Sequence, residues 1–224
     1  PFRIFRVILM SEISKIFLSG HTIELRVPRE KDIQDKWTNW YNNQDKTRFN
    51  SHGVFPLSPE EELRIVKKKM KDPTSILLAI YEKKNGRLVG NASLQDINLL
   101  YRHCNIALTI GENSSFSAGV ETYGLLLEHA FMKLNLIRVH DATHEKLLDF
   151  VKMISVLGFE YEGRGRQYFI KDGKRHDAIF FAALAESYFK LKEKRNGYIL
   201  FEKKELLIEA MRNALKTTDF PEFK

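Results

Sequence analysis

Hydrophobic and polar positions along this chain repeat with two periods, which predict a domain built from both helices and strands. Apolar residues three or four apart run through residues 120–134, as expected for one face of a helix. These residues are Val120, Tyr123, Leu126, Leu127, Ala130, Phe131 and Leu134. A strand is predicted over residues 104–110, and small residues such as Ser114, Ser117 and Gly119 fill the loop between the two. We therefore predict a strand, a loop and a helix here.

The rest of the chain shows the same two patterns. Alternating or continuous apolar runs predict strands over residues 21–27, 75–81, 87–94, 137–143, 159–170 and 176–184. Helical periodicity predicts helices over residues 28–42, 58–71, 145–157 and 201–215. Antiparallel hairpins combined with helical crossovers favour an α+β sheet over a doubly wound parallel one.

Turn and cap residues support these boundaries. Ser58 followed by Pro59 is typical of a helix start, because serine caps free N–H groups and proline fits the first turn. Gly158 is predicted to end a helix as its C-cap. Residues 83–86 carry Asn-Gly, which tolerates positive φ at both positions and predicts a hairpin, and residues 171–174 carry a similar signal.

Three aromatic residues, Trp37, Trp40 and Tyr41, lie on the inner side of the helix predicted over residues 28–42. Such a group would suit a ligand cage. At helical spacing, however, aromatic residues more often belong to a core. We therefore expect these three side chains to pack in the interior.

The length of 224 residues suits one domain, or one domain with an extension. The composition becomes charge-rich just after Tyr188. We therefore expect an N-terminal segment over residues 1–19, a central domain over residues 20–188 and a C-terminal extension over residues 189–224. No apolar run approaches the roughly 20 residues that cross a bilayer, so we expect no membrane partner.

The single cysteine, Cys104, excludes an internal disulfide and indicates a reducing compartment, so we expect a cytoplasmic protein. Its place in a predicted strand favours a buried, inert thiol over a nucleophile. The histidines show no spacing typical of a metal site, because His140 and His144 straddle the end of a strand. We predict no metal.

The net charge of +7 and the pI near 9.3 fit an anionic ligand, nucleic acid or an acidic partner. The basic residues are scattered, and their densest run, residues 67–71, falls on a predicted surface helix. A solvated helix face explains that run better than a nucleic-acid stripe.

Residues 1–9 precede the first methionine, Met10, and show no complete pattern of a secretory signal. We expect Met10 to be the natural start, with residues 1–9 coming from an artificial extension or an upstream start.

The loop before the long helix suits an anion. Its small side chains leave backbone N–H groups bare at a helix N-terminus, which carries about half a positive charge. A phosphate or pyrophosphate fits such a site, although many ordinary strand–turn–helix units share the pattern.

Several short motifs follow one another in a characteristic order through residues 20–188. They are Leu25-Arg26-Val27-Pro28 with Asp32, Trp40-Tyr41-Asn42-Asn43, Leu88-Val89-Gly90-Asn91, Leu125 to Phe131, Leu134 to Val139, Leu157 to Gly163, and Asp172-Gly173 with Asp177. In this order and spacing the chain resembles the GNAT N-acetyltransferases, most of all the branch of RimJ/RimL-like ribosomal-protein acetyltransferases.

The resemblance implies a mixed sheet of about six or seven strands, flanked by helices, with a V-shaped gap between two parallel strands. It also implies acetyl-CoA as co-substrate, with the pantetheine arm pairing like an added strand with Leu108, Thr109 and Ile110. An amine then attacks the thioester directly. The residues implied for the pyrophosphate are Ser115, Phe116, Ser117, Ala118, Gly119 and Val120.

The loop departs from the family pattern at several positions. Ser114 stands at the first position, where the family has Gln or Arg, and Ser117 stands at the first glycine, while Gly119 matches the last. Phe116 stands where the family often has Lys or Arg, so one favourable charge is missing.

A second departure concerns proton donors. Leu147 and Phe150 stand where many relatives carry Asn and Ser, and Ile154 stands where another branch carries Tyr. None of these side chains donates a proton. The departing thiolate must therefore take its proton from water or from another group.

Several residues are candidates for the chemistry. Glu112 is predicted to accept the amine's proton, or else it is a solvated turn carboxylate. Tyr168 is predicted to line the amine pocket, or else it is a rim or core tyrosine. His103 and His144 are candidate bases or ordinary strand-end histidines. Asn105 stands where relatives often place an acid and cannot act as a base.

Three functions stay open at this stage. The first is acetylation of a primary amine on a protein N-terminus, an aminosugar or a polyamine. The second is a non-catalytic acyl-CoA-binding module, and the third is a basic protein associated with ribosomes or nucleic acid. The terminal helix either covers its own sheet or joins a partner chain in a homodimer.

Overall fold

A mixed sheet of eight strands forms the centre of the computed structural model, which describes residues 15–217. The strands are β1 (Ile16–Ser19), β2 (Ile23–Arg26), β3 (Ile76–Glu82), β4 (Leu88–Asn98), β5 (His103–Ile110), β6 (Arg138–His144), β7 (Phe159–Lys171) and β8 (Lys174–Leu184). Their order across the sheet is β1-β2-β3-β4-β5-β6-β8-β7. The fold is the α+β arrangement predicted from the sequence, with one or two strands more than expected.

Helices cover both faces of this sheet. They are α1 (Glu30–Asp32), α2 (Thr38–Tyr41), α3 (Gln44–Thr47), α4 (Pro59–Lys71), α5 (Ala118–Met132), α6 (Leu148–Ile154), α7 (Ala185–Lys194) and α8 (Lys204–Thr217). A π-helical turn, Ile33–Trp37, joins α1 to α2, and 3₁₀ turns, Glu145–Leu147 and Ser155–Leu157, flank α6. Within residues 15–217, no helix is long and apolar enough to span a bilayer.

The strands β5 and β6 run parallel and separate after a short paired stretch. The paired residues are His103 with Arg138, Cys104 with Val139, and Asn105 with His140. On its other side β5 stays paired with β4 as far as Ile110, and β6 stays paired with β8 as far as His144. The facing edges of the two strands therefore open into the V-shaped gap that the resemblance implied.

Helix and turn signals in the sequence were accurate at several boundaries. Ser58 accepts a hydrogen bond from the Glu61 N–H and forms a capping box at the start of α4. Gly158 has a φ of 90°, as expected for a C-cap. The first predicted hairpin joins β3 to β4, and of its Asn-Gly pair only Gly86 takes a positive φ. Asp172 and Gly173 both take positive φ in the last hairpin.

Three elements were not predicted, and one of them is the short helix α3. Residues 16–19, assigned to an N-terminal segment, form β1 and pair antiparallel with β2. Helix α7 follows β8 directly, where the sequence showed only a charge-rich stretch. The expectations for residues 1–9 and Met10 lie outside the described residues.

The core has a large cluster on one face of the sheet and a smaller cluster on the other. The large cluster contains Leu126 and Leu127 of α5 and also Leu207 and Met211 of α8. The terminal helix therefore packs against its own chain. The small cluster is formed by Ile33, Trp37, Trp40, Tyr41, Val66, Ala79, Tyr81 and Leu88. This placement confirms that the aromatic residues are core residues.

Trp40 lies directly against the backbone where β5 ends. A side-chain carbon added at Gly111 would come within 2.0 Å of the Trp40 ring. The indole Nε1 donates a hydrogen bond of 2.9 Å to the Glu112 carboxylate. The absence of a side chain at Gly111 therefore lets the Trp40 ring of α2 pack against the backbone at the end of β5.

We predict that Gly111→Ala lowers the free energy of unfolding by about 1–3 kcal/mol or more, because the Trp40 ring must shift in a packed interior. Urea unfolding of the purified variant measures the change. Asn113→Ala, at an exposed position in the same loop, is the matched control. Equal unfolding midpoints for Gly111→Ala and the wild type would contradict the contact.

Candidate active site

The gap between β5 and β6 contains a cavity of about 550 Å³. Its walls come from β5, β6, the start of α5, α6 and the segment around α3. The side walls include Leu108, Thr109, Ile110, Asp141, Thr143, His144, Tyr123, Leu147, Phe150, Met153, Lys46, Phe49 and Phe169. Beyond Asn105 no strand within residues 15–217 pairs with the facing backbone edge of β5, so this edge is available for pairing with an extended ligand.

Most of the residues predicted to bind the co-substrate line this cavity. They are Leu108, Thr109, Ile110, Ser115, Phe116, Gly119 and Val120. Ser117 and Ala118 are instead fully buried and do not belong to the wall. Ser117 has a negative φ of −85°, but its hydroxyl donates to Glu121 at 2.6 Å and does not cap the helix.

The loop amides are only partly free. The Ser115 N–H donates to the Glu82 carboxylate at 3.1 Å, and the Ala118 N–H donates to the Ser115 carbonyl at 3.0 Å. For the N–H groups of Gly119 and Val120 we find no acceptor in the described part of the chain. The predicted anion site therefore narrows to the first turn of α5.

Glu121, which sequence reasoning missed, fixes this loop. Its buried carboxylate accepts hydrogen bonds from the Thr22 N–H and hydroxyl, both at 2.7 Å, and from the Ser117 hydroxyl. Three donors compensate the burial of the charge. The loop is thereby attached to the residue that precedes β2, and the shape of the anion site is set from outside the cavity.

A hydrogen-bonded pair, Tyr123 and Asp141, lies on the cavity wall. The Tyr123 hydroxyl donates to Asp141 Oδ2 at 3.0 Å, and the Ala142 N–H donates to Asp141 Oδ1 at 2.8 Å. Burial raises the pKa of Asp141 from 3.8 to about 7, although both hydrogen bonds act in the opposite direction. Burial and the nearby carboxylate raise the pKa of Tyr123.

Sequence reasoning did not single out this pair. One signal was present, because strand alternation places Asp141 on the same face as Val139, which is fully buried. An acid on the buried face of a strand indicates a special environment. Its partner Tyr123 was assigned only to the apolar face of its helix.

Glu112, the predicted proton acceptor, does not belong to this cavity wall. It lines a neighbouring open pocket of about 560 Å³ together with Lys46, Arg48 and Arg87. The hydrogen bond from Trp40 lowers the pKa of Glu112, and the charges of Lys46 and Lys36 act in the same direction. A stabilised carboxylate of this kind is a weak base.

Tyr168, predicted to line the amine pocket, is not among the residues that line the cavity. Its side chain is 58% exposed, and its ring packs edge-on against Phe169 and Phe180. The next residue, Phe169, lines the cavity instead. An irregular register between Gly165 and Phe169 decides which of the two rings faces inward.

Of the other candidates, only His144 reaches the cavity. Its Nδ1 accepts a hydrogen bond from the Lys146 N–H, which leaves the ring proton on Nε2, and burial lowers its pKa. His103 and Asn105 lie in the paired part of β5, away from the opening. Cys104 is fully buried, and burial raises its pKa to about 12, as expected for an inert thiol.

Comparison with known proteins agrees with this geometry. A family model described as an acetyltransferase (GNAT) domain matches residues 22–160. This chain belongs to the GNAT acetyltransferase family. No curated protein matches its sequence.

Two solved structures illustrate the shared GNAT fold. Spermidine N-acetyltransferase from Vibrio cholerae, in complex with CoA and spermine, has a TM-score of 0.67 and 19% identity, over 76% of this chain and 99% of that chain. A GCN5-related N-acetyltransferase from Brucella melitensis has a TM-score of 0.67 and 19% identity, over 89% and 95% of the two chains. At this identity the similarity concerns the fold.

In this GNAT domain, the three apolar residues that replace the family's proton donors occupy apolar sites. Leu147 and Phe150 line the cavity, and Ile154 is fully buried in the large core cluster. These three positions therefore offer packing contacts but no proton donor.

We predict that Asp141→Asn stabilises the protein more at pH 8 than at pH 4. The folded state keeps a proton on Asp141 up to pH about 7, whereas the unfolded chain releases it near 3.8. The wild type therefore loses stability as the pH rises through this window. The asparagine variant avoids this loss, which is on the order of a few kcal/mol.

Urea unfolding at both pH values measures the effect. Asp149→Asn, at an exposed position on α6, is the control for the same chemical change. A gain for Asp141→Asn that does not depend on pH would show that ionisation of Asp141 is not the cause.

Proposed function

We propose that this GNAT protein transfers an acetyl group from acetyl-CoA to a primary amine. The observation that carries the proposal is the gap between β5 and β6, which opens onto the N–H groups of Gly119 and Val120, for which residues 15–217 offer no acceptor. An extended thioester fits such a gap through strand-like pairing, and its diphosphate suits the start of α5. The family membership supports the same reaction.

The cavity walls are suited to the two ends of acetyl-CoA. Leu108, Phe150 and Met153 offer apolar contacts for the pantetheine arm and exclude water from the reacting atoms. Lys46 and Arg48 lie next to the loop, in the neighbouring pocket, and supply positive charge that Phe116 does not. Holding the thioester and the amine in one cavity then supplies the proximity that direct attack requires.

The acceptor side of the cavity favours an amine with little additional positive charge. Asp141 is the one carboxylate among the described residues of the wall, whereas Lys46 contributes a cation. A polyamine needs several carboxylates, as charge complementarity requires. We therefore favour a protein N-terminus or an aminosugar, in keeping with the RimJ/RimL-like resemblance, although the Vibrio cholerae neighbour carries spermine.

A second candidate function is a non-catalytic acyl-CoA-binding module. The apolar residues Leu147, Phe150 and Ile154 favour it, since they stand at positions where relatives carry proton donors. Glu112 and Tyr168 stay predictions for catalytic roles under the first function. A cytoplasmic location and a homodimer also stay predictions, which cell fractionation and light scattering would check.

We predict that acetyl-CoA raises the melting temperature of this protein and that CoA thiol is released when a suitable amine is added. A ligand at 100 times its Kd adds about 2.7 kcal/mol of stability. The amines to compare are an alanine-initiated peptide, glucosamine and spermine. Stabilisation without thiol release from any amine would favour the binding module, and no stabilisation at millimolar acetyl-CoA would contradict both functions.

We predict that Gly119→Glu weakens acetyl-CoA binding more than Gly119→Gln does. The two side chains match in size, and both must fit beside Phe150 and Leu108, which lie 3.1 and 3.3 Å from a carbon added at Gly119. Only glutamate adds a negative charge beside the diphosphate, which weakens affinity by about tenfold more. Calorimetry measures both Kd values. Equal Kd values for the two variants would contradict the placement of the diphosphate at the start of α5.

A further inference from the structure

We propose that Asp141 carries the proton of acetyl transfer, from the attacking amine to the departing sulfur, and that Tyr123 positions its carboxyl group. The inference rests on the proposed acetyltransferase function. Asp141 follows His140, the last residue of β6 that pairs with β5, so its carboxyl group lies where the two strands part. A ligand that fills the gap therefore meets this carboxyl group at the apex of the opening.

The carboxyl group is held in one orientation. Oδ2 accepts from the Tyr123 hydroxyl and Oδ1 accepts from the Ala142 N–H. Tyr123 is itself fixed, because it is only 2% exposed and its ring contacts Phe150 and Phe159 edge-on at centroid distances of 5.1 and 5.5 Å. Each oxygen accepts one hydrogen bond and keeps capacity for a ligand proton.

The surroundings bring the pKa of this carboxyl group close to neutral pH. The titratable groups of the cavity wall are Lys46 from α3, Tyr123 from α5, and Asp141 and His144 from β6. The 3₁₀ turn before α6 contributes the apolar side chain of Leu147, and α6 contributes those of Phe150 and Met153. Opposite Asp141 on β8 lies Phe181, which is fully buried. Burial among apolar groups raises the pKa of Asp141 to about 7, where a carboxyl group both accepts and donates protons.

One residue, Asp141, can then both accept the proton of the amine and donate it to the thiolate. The neutral amine forms the new C–N bond at the thioester carbonyl, and the C–S bond breaks with its electron pair on sulfur. The surplus proton on nitrogen passes to the Asp141 carboxylate, and the resulting carboxylic acid passes it to the thiolate. The products are the amide and the CoA thiol, and Asp141 returns to its starting state.

This assignment supplies a proton donor for the thiolate, which the sequence lacks at the positions where relatives carry one. Leu147, Phe150 and Ile154 cannot protonate the thiolate, and Glu112 lies outside the cavity with a lowered pKa. Asp141 is a titratable acid on the cavity wall that needs no side-chain donor at those three positions. Tyr123 acts through Asp141 and is a positioning residue.

Carbon-13 NMR of labelled aspartate side chains tests the ionisation directly. The Asp141 signal is identified as the one missing from Asp141→Asn, and we expect its titration midpoint near 7 in the free protein. Tyr123→Phe should move the midpoint to higher pH, because a hydrogen bond that stabilises the carboxylate is lost. A midpoint near 4, or one that Tyr123→Phe leaves unchanged, would overturn the proposal whatever the activity.

Transfer rates test the role in catalysis. With the amine that releases CoA thiol fastest, we expect Asp141→Asn to lower kcat by about 100-fold or more, with the Kd for acetyl-CoA nearly unchanged. Tyr123→Phe should lower kcat less and shift the pH profile upward. Asp149→Asn is the control for the same chemical change at an exposed site.

The outcomes separate this inference from the function on which it rests. If the wild type turns over and Asp141→Asn keeps its rate, or if Glu112→Gln alone abolishes turnover, the inference fails and the acetyltransferase stands. If the wild type binds acetyl-CoA but acetylates none of the three amines, the proposed function fails and the inference fails with it. Loss of turnover in folded Asp141→Asn with binding retained supports both.

Discussion

The separation of β5 and β6 after three paired residues is the constraint on which the rest of this structure depends. Two parallel strands that part leave peptide N–H and C=O groups without partners, and such groups are costly unless a ligand or water satisfies them. The outer edges of both strands stay paired with β4 and β8 along the opening. The site is therefore an interruption of strand pairing at the centre of the sheet.

The elements around the opening keep it from collapsing. The Trp40 ring packs on Gly111 at the end of β5, and its indole N–H binds Glu112 at the same corner. On the opposite face, the buried Glu121 attaches the loop before α5 to Thr22. Both contacts use polar groups with satisfied hydrogen bonds, so they fix geometry without leaving a buried charge unpaired.

The pair of Tyr123 and Asp141 shows how stability and chemistry oppose each other in this site. A carboxyl group among Phe150, Met153 and Phe181 is held in a place where its charged form is disfavoured. The same burial brings its titration into the range in which proton transfer is efficient. A residue that is unfavourable for folding at neutral pH and poised for reaction is typical of a functional position.

The sequence by itself determined the α+β class, most element boundaries, the burial of Trp37 and Trp40, and seven of the cavity-lining residues. The class, the boundaries and the burial follow from local periodicity and capping residues, whereas the seven cavity-lining residues were implied by the resemblance to the GNAT family. Only the tertiary structure decided that Phe169 rather than Tyr168 faces the cavity, that Glu112 binds Trp40, and that Asp141 meets Tyr123. Each of these depends on a register irregularity or on contacts between distant segments. Pairing across the fold and loss of solvent set the chemistry of a side chain, and neither is encoded in its neighbours along the chain.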